Sequence, residues 1–249
     1  MSAVSGNGGG QMNVFRRREL KFLVNEQQRQ QLELVMKQRM VPDKYGRSTI
    51  CNLYYDTPDY RLVRRSLERP VYKEKLRLRS YGPAKLGTDV FLEMKKKYKG
   101  VVYKRRIPVT EEEAEAFMNR LASLPEDSQI AREMVYFRDF YRELAPRVYL
   151  SYERQAWFDP EDSGFRMTLD RNIQYRTTDL SLASPAVGRA ILPPDVSLLE
   201  VKASGGIPMW LTEHLSRHKI HKQSFSKYGR AYMELLEQSI NESRGRTYA

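Results

Sequence analysis

The chain has 249 residues, 43 Lys and Arg against 31 Asp and Glu for a net charge of +12, and 41% hydrophobic residues, enough to bury a core and to exclude chain-wide disorder. No run approaches the ~20 apolar residues needed to cross a bilayer as a helix, and the start MSAVSGNGGGQMN lacks the basic and apolar regions of a secretory leader. A lone cysteine, Cys51, excludes internal disulfides and a Cys-ligated zinc site, so an unsecreted, cytoplasmic protein is expected.

Residues 1–12, rich in Gly, Ser and Asn, are expected as a flexible tail, and GNGGG lacks the Gly-Lys-Ser/Thr of a phosphate-binding loop. Val14 to Val24 reads as a strand, followed by Asn25 as the N-cap of a helix carrying Leu32, Val35 and Met36, with Pro42 just beyond its end. Ser48 to Tyr55 reads as a strand, and Thr57-Pro58-Asp59 opens a short helix with Leu62, Val63 and Leu67. Tyr72 to Ser80, Asp89 to Lys97 and Val101 to Val109 form an expected antiparallel meander. Thr110 caps an acid-first helix, and two helices fill 110–143. Strands resume at Arg147 to Phe158, Phe165 to Asp170 and Val196 to Ala203, with a polar loop at 177–195. Helices are expected at Pro208 to His218 and Ser226 to Ser239, then a flexible end from 241. With no repeat or dividing linker, 13–240 reads as one α+β domain.

The charge is concentrated. Between Arg61 and Arg106 there are sixteen Lys and Arg against four acids, so the whole net charge falls in that window. Such a segment suits a polyanionic partner. Side chains two apart in a strand share a face, and the ionisable residues fall in such pairs: Glu19 and Lys21, Arg77 and Arg79, Glu93 and Lys95, Lys104 and Arg106, Tyr152 and Arg154, Arg166 with Thr168 and Asp170, Glu200 and Lys202. Leu20, Leu78, Met94, Met167, Leu169 and Val201 stand between them. One antiparallel sheet with a polar face in water would give a similar alternation, but these pairs hold nine cations against four acids. Closed into a barrel, the sheet would put the cations in a bore suited to a chain of phosphates, with carboxylates left to hold a hard divalent cation.

Other signals carry less. His214 and His218 are four apart with His221 following, but no Glu follows the first His as a hydrolytic zinc motif requires. Trp157 and Trp210 read as packing residues. KKKYKGVVYKRR could pass for a nucleic-acid patch; here Lys95 and Lys104 are expected to point inward and Lys96, Lys97, Lys99 and Arg105 outward, so no specific nucleic acid is expected.

FRRRELKFLV, YYDTPDY, KLRLRSYG, FLEMKKKYKGVVYKRR, LSYERQAW, FRMTLDR, SLLEVKASGGIPMWL and SFSKYGRAY, in that order over about residues 14–235, resemble the VTC domain of polyphosphate polymerases, within the triphosphate tunnel metalloenzymes that also include the CYTH phosphatases. The resemblance implies a closed antiparallel β-barrel tunnel with helices packed outside. It implies ATP and polyphosphate or triphosphate as partners, Mn2+ or Mg2+ as cofactor, and transfer of the terminal phosphoryl group of ATP to a growing chain. Carried over by motif, Lys21, Arg77, Arg79, Lys95, Arg154 and Lys227 are the catalytic set. Glu19, Lys104, Arg106, Tyr152, Arg166 and Lys202 bind substrate, and Glu200 and Glu93 hold metal. The CYTH relatives begin Glu-x-Glu-x-Lys where this chain has Arg17-Arg18-Glu19-Leu20-Lys21. One fewer carboxylate leaves less capacity for a second metal and for activating water, which favours the polymerase over a triphosphatase or polyphosphatase. A non-catalytic polyphosphate-binding module is the third reading.

Overall fold

The computed structural model describes residues 18–85 and 87–247; the expected tail and the expected strand start at Val14 lie outside the described residues. β1 (Arg18–Val24) leads into α1 (Glu26–Arg39) through a capping box: the Asn25 side chain accepts from the Gln28 amide, and the Gln28 side chain accepts from the Asn25 amide. β2 (Val41–Asp56) begins before the expected Ser48 and contains Pro42. A register irregularity between Pro42 and Arg47 breaks the alternation there, which is why only its second half reads as strand in the sequence.

α2 (Arg61–Leu67), β3 (Tyr72–Tyr81), β4 (Val90–Tyr98) and β5 (Val101–Val109) follow, then α3 (Glu111–Met118) and α4 (Gln129–Tyr141). The chain continues through β6 (Ala145–Phe158), β7 (Arg166–Arg176), β8 (Arg189–Ala190), β9 (Ser197–Ala203), α5 (Met209–Arg217) and α6 (Lys227–Thr247). Within the expected loop 177–195, β8 pairs with Gln174 and Tyr175 of β7. α6 runs past the expected end at Ser239, so 241–247, expected to be flexible, are helical.

The strands form one antiparallel sheet ordered β1-β9-β7-β6-β2-β3-β4-β5, with β8 on β7. The α+β class holds, but the expected closed barrel needs correction: among the described residues no backbone ladder joins β1 to β5. Each of these strands carries features of an edge. Phe22 of β1 bridges to Lys222, and the Gln223 amide donates to the Lys21 carbonyl, so the segment after α5 occupies part of the outer side of β1. β5 contains Pro108, which cannot donate to a ladder, and the charged run Lys104-Arg105-Arg106. The sheet nevertheless curls until its two ends face one another, since the Lys95 ammonium on β4 lies 3.7 Å from Glu19 on β1.

Two hydrophobic cores cover the convex side. One packs Leu53, Leu76, Leu78, Leu92, Met94 and Ile107 against Phe117 of α3 and Met134 and Phe137 of α4. The other packs Phe22, Met167, Leu169, Leu199 and Val201 against Leu32 and Met36 of α1 and Leu211 of α5. A third core occupies part of the concave side, where Ile50, Val148, Leu150, Tyr152 and Leu198 meet Tyr228, Ala231 and Tyr232 of α6. The concave face is therefore apolar under α6 and charged over the rest.

Candidate active site in the curled sheet

Because Leu76, Leu78, Met94, Leu199 and Val201 point into the convex cores, their neighbours Lys75, Arg77, Arg79, Glu93, Lys95, Glu200 and Lys202 point into the curl. The paired charges of the sequence are brought together here in two groups.

The first is built on Glu200. Its buried carboxylate lies 3.4 Å from Lys21, 3.3 Å from Arg154 and 3.2 Å from Lys227. Asp170, fully buried on the next strand, accepts a bidentate pair from Arg154 at 2.6 and 2.7 Å and meets Lys227 at 2.5 Å. Lys227, the first residue of α6, is thus inserted between two strands, and Lys21 pins the preceding turn by donating to the Phe225 carbonyl at 2.9 Å. Burial works to raise the Glu200 carboxyl, but Lys227, Lys21 and Arg154 outweigh it and hold the group well below the ordinary range. Glu19 is also held low, by Lys95 and Lys21 against the effect of burial. Tyr152 is buried with its ring beneath Arg154 and Lys227, at 5.1 and 4.6 Å.

The second group is built on Glu93. One carboxylate oxygen meets Arg77 at 2.7 Å and Arg79 at 3.7 Å; the other meets Arg106 at 2.6 Å and Lys104 at 2.9 Å. Burial raises its pKa, yet the surrounding cations pull it far below the usual value. Its partners are all on β3 and β5, whereas those of Glu200 are on β1, β6 and α6, so the two carboxylates expected to share metal binding have no partner in common.

Four lysines on this face lack an ion-pair partner among the described residues: Lys73 and Lys97 at the start of β3 and end of β4, and Lys75 and Lys202 deeper in the curl. Lys75 donates to the Ser226 hydroxyl at 3.0 Å, and burial together with neighbouring lysines pulls it down to about 8 despite Tyr54. Lys202 is likewise lowered to about 8, chiefly by burial. Tyr54 stacks on Tyr228 at 4.4 Å and accepts from Arg77 at 3.0 Å; Arg77 and Lys75 overcome burial and lower it to about 8. Arg166 stands at the rim, paired with Asp43 at 3.0 Å.

Lys75 and Tyr54 were not among the sequence candidates, and Asp170 was paired but given no role. Lys75 was readable: it continues the alternation of Arg77 and Arg79 by one step. Tyr54 carried no distinguishing signal among strand aromatics. Lys96 and Arg105 face outward as expected, both meeting Glu133 of α4. Lys97 does not: it stands opposite Lys73 in the ladder, on the face shared by Glu93 and Lys95. His214 is buried against His218, their rings 4.3 Å apart, and among the described residues no group of three or more His, Cys, Asp and Glu is placed to hold a metal ion. Trp157 lies in the core and Trp210 packs edge-on against Phe165 at 6.3 Å.

The strongly curled antiparallel sheet thus carries α1, α3, α4 and α5 on its convex side and a basic concave surface, and the expectation that all helices pack outside is corrected by α6, whose apolar face sits inside the curl. The VTC domain family profile matches residues 16–236, and the chain belongs to that family. Two solved structures share the fold. A candidate adenylate cyclase from Bacillus halodurans aligns with a TM-score of 0.51 at 15% identity, over 84% of this chain and 92% of that one. A candidate adenylyl cyclase from Hippeastrum, described as having a dominant triphosphatase activity, aligns with a TM-score of 0.52 at 18% identity, over 84% and 92%. A search of curated proteins found no match. Among the described residues no helix is long and apolar enough to cross a membrane.

Proposed function

We propose that the protein is a polyphosphate polymerase that moves the terminal phosphoryl group of ATP onto a polyphosphate chain lying in the curl of the sheet. The observation that carries this reading is the imbalance of charge on one concave surface: the cations gathered around Glu93, Glu200 and Asp170 outnumber the carboxylates, and Lys75 and Lys202 have none. Buried cations in reduced dielectric need anions.

A divalent cation fits this site. The Lys21 ammonium stands 3.2 Å from Glu19 and 3.4 Å from Glu200, so the two carboxylates already converge on one positive charge. The donors are all oxygens, which suits Mg2+ or Mn2+, and such ions take one or two carboxylates and complete their shell with phosphate oxygens. Glu19 and Glu200 would hold the ion, which supplies charge neutralisation at the transferred and leaving phosphates. Glu93 is the counter-charge that sets Arg77, Arg79, Lys104 and Arg106 in place.

In this reading Arg154, Lys227, Arg77 and Arg79 grip consecutive phosphates, and the trough holds donor and acceptor in line. Catalysis is then mostly positioning and electrostatics. A terminal phosphate is an ionised acceptor, so no side chain has to remove a proton from it.

One observation favours a second reading, hydrolysis of triphosphate. Tyr54 and Lys75, both brought to about 8, are the kind of groups that exchange a proton with a water near neutral pH. Incubation with ATP and manganese separates the readings: long phosphate chains on a gel support the polymerase, orthophosphate without chains supports the hydrolase, and tight polyphosphate binding without turnover supports a binding module.

A further inference from the structure

The concave face of β3, β4 and β5 is organised in cross-strand rows. In the first row Glu93 stands between Arg77 and Arg106, so each arginine has a carboxylate beside it. In the second, Lys75, Lys95 and Lys104 stand side by side; Glu19 reaches Lys95 at 3.7 Å and Glu93 reaches Lys104 at 2.9 Å from outside the row. In the third, Lys73 stands directly opposite Lys97, and neither pairs with a carboxylate among the described residues.

Like charges directly opposite in a ladder are destabilising. The next outward-facing pair, Glu74 opposite Lys96, has opposite signs, so the repulsive arrangement belongs to the concave face. Lys73 is held in place by donating to the Ser66 carbonyl at 3.2 Å. The Lys99 amide donates to the Val71 carbonyl at 3.1 Å, which brings the β4–β5 hairpin tip against Val71, just before β3. Burial lowers Lys73, and Lys97, Lys95, Arg69 and Lys21 lower it further, as expected for a cluster without counter-ions. The opposite end of the trough differs: there Arg166 pairs with Asp43 at 3.0 Å and Arg47 with Glu153 at 3.8 Å.

We infer that Lys73 and Lys97, with Arg69 and Lys99 beside them, form an anion subsite outside the catalytic trough, over which a polyphosphate chain leaves the protein at the end where β3 begins. The inference rests on the phosphate-chain reading of the trough and adds a direction to it. Alternate residues on a strand are roughly 7 Å apart, so a ligand engaging both the Arg77 row and the Lys97 row spans roughly 14 Å. A chain of many phosphates makes that reach and carries charge at every unit; orthophosphate does not.

The test is calorimetric titration of tripolyphosphate and of long-chain polyphosphate into the wild-type protein, the Lys73→Gln/Lys97→Gln double variant and the exposed-site variant Lys97→Gln, each over a range of salt. The double variant is expected to lose roughly tenfold in affinity for the long chain, with a shallower salt dependence, while tripolyphosphate binding stays within about twofold. Lys97→Gln alone is expected to show a smaller loss of the same kind. Equal losses for both ligands would overturn the inference by placing these lysines in the trough, and no loss for either would overturn it by leaving the ledge without a ligand. Failure of the wild-type protein to bind either ligand would instead overturn the reading of the trough, and the subsite with it.

Discussion

Glu93 and Glu200 are both buried carboxylates ringed by cations, yet their substitutions are expected to do different things. Glu93→Gln leaves Arg77, Arg79, Lys104 and Arg106 without their common counter-charge. The expected cost is about 3–5 kcal/mol of folding stability, read from denaturant midpoints, and tripolyphosphate should restore more of the melting temperature than it adds to the wild type. Around Glu200, Asp170 and Glu19 remain to balance Lys227, Arg154 and Lys21. Glu200→Gln is therefore expected to keep its circular dichroism spectrum and lose about 100-fold in metal-dependent turnover. Activity unchanged across a manganese titration would remove Glu200 from the metal. Lys75 gives a pH signature. Its folded value, about 8, lies below the ordinary 10.5, so below pH 8 both states carry the proton and the folded state bears the full cost of a buried charge. Between about 8 and 10.5 the folded state releases that proton while the unfolded state keeps it, and stability rises with pH. Tyr54, also lowered to about 8, acts in the same direction, so the two titrate as a pair. Melting temperatures followed from pH 7 to about 10 should climb in the wild type and climb less in Lys75→Met.

At the scale of elements, α6 and α2 are tied to the sheet through one residue. Asp56, fully buried at the end of β2, accepts from the amides of Leu62 at 2.8 Å and Val63 at 3.0 Å in the first turns of α2, from the Thr57 amide at 2.9 Å, and from the Tyr228 hydroxyl at 2.8 Å. Asp56→Ala leaves these donors buried, and a loss of about 3 kcal/mol in denaturant unfolding is expected, more than a single helix cap contributes. This junction was not legible in the sequence, where YYDTPDY marked only a turn and a helix start. What was legible depended on period. The charged pairs at Arg77 and Arg79, Glu93 and Lys95, and Glu200 and Lys202 identified the concave face because apolar residues sit between them, and a period of two assigns faces whatever the tertiary context. The same rule places Lys75 and Lys97 on that face, at the ends of the charged runs in those strands. The first half of β2 and the two-residue β8 escaped because a bulge breaks alternation and so short a strand has none. The apolar part of the concave face was hidden for another reason. Leu150 and Leu198 read as core in either orientation, and only α6, packed inside the curl, decides which core they join.

For the whole molecule, curvature matters more than closure. No backbone ladder joins β1 to β5 among the described residues, but Glu19 and Lys95 meet across the interior, so the cations of both sheet ends face one concave space. Confinement distinguishes that space from the outer surface, where Lys96 and Arg105 are balanced by Glu133. Duplex DNA is too wide to enter and meets only outward cations, and such phosphate contacts weaken steeply with salt. On the proposed reading tripolyphosphate binds inside, where screening by salt is weaker. At a hundredfold excess over Kd, binding to the native state adds about 2.7 kcal/mol, a rise of about 5–10 °C in Tm for a chain of this size. The measurement that tests the account most directly is the melting temperature with tripolyphosphate and with duplex DNA, each at low salt and at about 0.3 M. The account predicts a tripolyphosphate shift that persists at the higher salt and a DNA shift that vanishes there; equal salt sensitivity of the two shifts would contradict it, placing both ligands on one exposed basic surface.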